Sequence, residues 1–189
     1  RKDRTKEKVI IEDLIKNIEL NIRIFRDDII FLEDKNQSAE TILNTLEQKL
    51  DYSDTLAPHF HKARIAKKTL YLSNIGFQAL KDAGLDILTD KSLSDEIVKL
   101  YEFTLPSIMS SNNNINSILD EFDNHVVVNF KLTEGAGLQP NDYEELLDDE
   151  YYYSWIDAFK EGRKYLIQVD LEMVAEFERM LDAIKDSLN

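Results

Sequence analysis

The chain has 189 residues, 43% of them hydrophobic and 32% charged, with a formal net charge of −14 and no cysteine. That is too apolar for a disordered tail and too acidic for a protein that must neutralise nucleic-acid phosphates, and the missing cysteines exclude disulfides and thiolate chemistry. Five glycines and three prolines are few helix breakers for this length, which favours helices over strands and turns.

The first predicted element is a single long helix. Ile11, Leu14, Ile18, Ile22, Phe25, Ile29 and Leu32 recur at three- and four-residue steps, and Ala39, Ile42, Leu46 and Leu50 continue the phase. This is one apolar stripe at a period near 3.6, and no Gly or Pro interrupts residues 1–50. A helix of about 45–50 residues is roughly 70 Å long. Ser38, after Asn36-Gln37, offers an alternative break with a fresh N-cap. Residues 51–58 read as a connection ended by Pro58.

A second helix is predicted from about His59 to Ala83. Its seam of Ile65, Thr69, Leu72, Gly76, Ala79 and Ala83 contains small residues that permit close helix approach. Gly84 fits the position after the helix end, where positive φ is often needed. Asp90 or Ser92 then caps a third helix whose seam runs Ile97, Tyr101, Thr104, Ile108, Asn112, Ile115, Leu119, Phe122, Val126 and Phe130. Pro106 should kink it, and the polar run 110–114 places Asn112 on the apolar side. We expect a kinked but continuous helix, with Val126-Val127-Val128 helical for want of a strand partner.

Thr133 to Asn141, with Gly135, Gly137 and Pro140, is the best candidate loop. Asn141 and Glu144 stand at capping-box spacing before a short helical stretch. The last long helix is predicted from about Tyr151 to Leu188, striped by Trp155, Phe159, Leu166, Val169, Met173, Phe177, Met180, Ile184 and Leu188. The sum is one all-α domain over residues 1–189. It is expected to be an antiparallel bundle of about four main helices, two very long, with coiled-coil-like packing.

Little chemistry is visible in these residues. His59 and His61, two apart, point about 160° apart on a helix and share a metal poorly. His125 follows Glu121 by four residues, an ordinary helix-surface pair. The acidic run Asp142, Glu144, Glu145, Asp148, Asp149 and Glu150 lacks the EF-hand pattern and suits a helix N-terminus. No phosphate-cradling glycine loop and no nucleophile elbow occurs. We therefore expect no enzyme, cofactor or metal. The aromatic cluster Tyr143, Tyr151, Tyr152, Tyr153 and Trp155 is read mainly as packing, and otherwise as a ligand or partner patch beside the 133–141 loop.

Charge is uneven along the chain. Residues 1–8 hold five cations against two anions, so the remainder carries −17. A basic lead into an acidic body matches either a juxtamembrane flank or a frayed helix start. The chain begins at Arg1 rather than Met, and an upstream segment is expected to carry the localisation signal.

The stretch Thr69-Leu-Tyr-Leu-Ser-Asn-Ile-Gly-Phe-Gln-Ala-Leu-Lys-Asp-Ala-Gly84, followed by Leu88-Thr-Asp-Lys-Ser-Leu93 and Ile97-Val-Lys-Leu-Tyr101, resembles a family of uncharacterised bacterial single-span membrane proteins with a C-terminal helical domain. Members often carry Ser-Gly where this chain has Ala83-Gly84, and the helix from Tyr151 to Leu188 is also similar. The resemblance covers most of the chain through structural motifs, so it transfers no catalytic residue. It implies a membrane span upstream of Arg1 and a periplasmic domain, although the basic flank by itself favours the cytoplasmic side. The expected function is a membrane-tethered, extracytoplasmic module acting through protein contacts, with homo-oligomerisation one form of it. The alternative is a bundle that senses a small molecule near residues 133–141 and 151–155.

Overall fold

A computed structural model describes residues 2–113, 116–135 and 137–187, and the side chains within them except 2–4 and 111–120. The protein is 79% helical, an all-α bundle with one two-stranded sheet. In chain order the elements are α1 (Lys2–Glu47), α2 (Ala57–Ala63), α3 (Ile75–Ala83), α4 (Lys91–Lys99), α5 (Leu105–Asn113), α6 (Asn116–Asn129), β1 (Phe130–Thr133), β2 (Gly137–Pro140), α7 (Tyr143–Leu146) and α8 (Glu150–Ser187). None of the described helices is long and apolar enough to cross a membrane.

α1 is unbroken, and Ser38 caps nothing. Its hydroxyl lies 3.1 Å from His59 Nδ1. The helix ends in a Schellman turn, in which the Lys49 N–H donates to Leu46 O (3.1 Å) and the Leu50 N–H to Thr45 O (3.0 Å). Lys49 takes the left-handed conformation, φ +48°, that glycine usually supplies. Leu50, predicted to extend the stripe, therefore leaves the helix and is exposed.

The chain forms two compact units, each holding part of α1 and part of α8. The first comprises residues 1–27, 69–113 and 170–189. There α1 and α8 run antiparallel, tied by the Arg26–Glu178 ion pair and by Lys185 to Glu19 at 3.2 Å. Phe77 stacks on Tyr101 (4.8 Å), whose ring meets Phe177 edge-on (6.0 Å). The buried Tyr101 hydroxyl donates to Asn17 Oδ1 at 3.0 Å. Gly76 lies where an added Cβ would stand 2.6 Å from Asp13 O and 2.9 Å from Leu14 Cα, so α3 presses directly on the α1 backbone. Gly84, at φ +110°, closes α3 through its N–H to Leu80 O, and Asp90 caps α4.

Pro106 does not simply kink the third helix. A π-helical turn, Leu100–Thr104, comes first, with the Leu105 N–H reaching Leu100 O. The widened turn absorbs the missing donor and bulky ring before they disrupt the ladder. The expected continuity at 114–115 and the seam side chains Asn112, Ile115 and Leu119 lie outside the described residues, as do Arg1 and Leu188.

The second unit comprises residues 28–68 and 114–169. Here too α1 and α8 are antiparallel, joined by Tyr153 to Glu47 and by Arg163 Nε to Asn36 Oδ1 at 2.6 Å. Its core packs Ile42, Leu46, Phe60, Phe122, Tyr152 and Ile156, all buried. Two predictions fail in this part of the chain. The helix expected over His59–Ala83 stops at Ala63 and resumes only at Ile75, without regular structure from Ile65 to Asn74. The cause is tertiary: the completely buried Arg163 draws Ala63 O (3.1 Å) and Ile65 O (2.8 Å) onto Nη1, carbonyls a continued helix would have used. Within the first unit, Asn21 likewise bonds both backbone groups of Ser73 (2.8 and 2.9 Å), holding that end extended. Second, the 133–141 loop is largely a hairpin. β1 pairs antiparallel with β2, Leu132 opposite Leu138, around a turn at Gly135 (φ +77°). Phe130 opens β1 rather than ending a helix, while Val126–Val128 remain helical as expected.

Candidate functional site

Two concave features of the described surface of the second unit adjoin α6. The larger is an acidic cleft of about 660 Å³, floored by His125 and Asn129 of α6 and walled by Asp142, Glu145, Asp149 and Glu150 around α7. Two of its carboxylates, Asp142 and Asp149, hold the backbone. Asp142 accepts from the Glu145 N–H at 3.0 Å and so replaces Asn141 as the α7 cap. Asp149 Oδ1 accepts from the Tyr152 N–H at 2.9 Å, starting α8, while its Oδ2 lies 2.9 Å from His125 Nε2. His125 thus pairs with Asp149 and not with the exposed Glu121, because the connection from α7 to α8 brings that distant carboxylate onto the ring. These are N-terminal carboxylates meeting unpaired helix donors.

The second feature is an apolar groove of about 490 Å³ between α6 and the hairpin, lined by Val126, Val127, Phe130, Leu132 and Leu138, with the Arg64–Asp123 ion pair (2.8 Å) at one side. Two of its residues are exposed to an extent unusual for their type: Val127 at 77% and Leu132 at 77%. Sequence reading missed this site. Its signal was the alternation Phe130-Lys131-Leu132-Thr133 before Gly135, read as a helix end and loop because α6 runs straight into it.

The five aromatics singled out from sequence are not brought together around one cavity. Tyr152 is core, and burial raises its hydroxyl pKa far above the ordinary tyrosine value. Tyr143 packs edge-on against Tyr52 (5.2 Å) and donates to Leu50 O at 2.7 Å; its pKa is raised by burial first, then by Asp51 and Glu144. Tyr153 donates to Glu47, which with burial pushes its hydroxyl up to about 12. Tyr151 leans on the His125 ring (4.8 Å), and Trp155 lies against Phe122 and Phe159. Aromatic density here is mostly packing.

The remaining histidines lie away from both features. The His61 pKa is lowered by burial first, then by Arg64 and Lys35. Its buried Nδ1 has no partner among the described residues. No three metal-ligating side chains converge among the described residues. No protein-family model matches the sequence, and no curated protein or solved structure is significantly similar to it.

Proposed function

We propose that the chain is a membrane-tethered helical module that works on the extracytoplasmic side through protein contacts, without catalysis of its own. The apolar groove carries this reading. Val127 and Leu132 are offered to solvent beside Phe130 and Leu138, although burying them inside the protein would have stabilised it. Contiguous apolar surface rimmed by an ion pair is the usual form of a docking site. The tether rests on the basic lead at Arg1 to Lys8 and on the resemblance to single-span membrane proteins. Small-molecule sensing ranks second, since the aromatics meant to form its mouth serve different contacts.

The test is site-specific photocrosslinking of the full-length protein in native membranes. A photoreactive residue at Val127 or Leu132 should give protein adducts, while one at the exposed Lys164 should give none. Recovery of the protein in the soluble fraction would refute the tether, and the absence of adducts at both groove positions would refute the docking.

A further inference from the structure

We draw no further inference here: the strongest candidate, the apolar groove between α6 and the β1–β2 hairpin, belongs to the site already described, and nothing in the structure shows which partner covers it.

Discussion

Arg163 is the position where a single substitution says most about how this protein is built. Its guanidinium is completely buried with no carboxylate partner among the described residues. It donates instead to Asn36 Oδ1, Ala63 O and Ile65 O, and Nη2 has no partner. Desolvation pulls its pKa from the ordinary arginine value down to about 10, a penalty on the buried charge of roughly 3 kcal/mol. Hydrogen bonds from a charged donor are worth about 2 kcal/mol each when their acceptors are left stranded, so the three together contribute roughly 6 kcal/mol. The bonds outweigh the burial. Arg163→Met, which fills the space and removes the charge, should destabilise the fold by about 3 kcal/mol. With a urea slope of about 2 kcal/mol/M, that moves the unfolding midpoint down by roughly 1.5 M. Arg163→Lys should lose at least as much, because an ammonium keeps the buried charge but cannot span Asn36 and both carbonyls. Hydrogen exchange at residues 64–68 should accelerate in both variants. A neutral or stabilising Arg163→Met, or a fully tolerated lysine, would refute the claim that this fork shapes the end of α2.

Two glycines should respond in opposite directions. Gly76→Ala drives a Cβ into the α1 backbone at Asp13 and Leu14 and should cost about 2–3 kcal/mol by denaturant unfolding. Gly162→Ala, with nothing within 4 Å of the new atom, should stabilise α8 by about 0.5–1 kcal/mol. Acid stability should carry a His61 signature. Its folded pKa is lowered below the ordinary 6.5, chiefly by burial, so the unfolded chain takes up the proton first. The stability present above pH 6.5 is then lost as pH falls from there through the folded value. His61→Gln should flatten the wild-type decline between pH 7 and 5, and parallel curves would exclude His61 as the cause.

Helix content and both long helices were legible in the residues alone, because an apolar stripe at a 3.6-residue period over forty positions has no other stable solution than a buried helix face. Ile11, Leu14, Ile18, Ile22, Phe25, Leu32, Ala39, Ile42 and Leu46 on α1 and Phe159, Met173, Phe177, Met180 and Ile184 on α8 are buried where their spacing put them, Gly84 ends its helix, and Asp90 caps the next. Local chemistry sufficed for these, since caps and periodicity act within a turn or two. Only tertiary structure decided where α2 stops, because the group that stops it lies about a hundred residues away, on Arg163. The same holds for His125, whose partner Asp149 arrives on another element, and for Gly76, whose need for hydrogen at Cα comes from the backbone of α1. The hairpin was hidden because Phe130 satisfies both the helical seam and a buried strand position, and only pairing with Pro140 separates the two. The apolar groove follows from that pairing: Leu132 reads as an ordinary residue near a loop until the sheet turns it outward beside Val127.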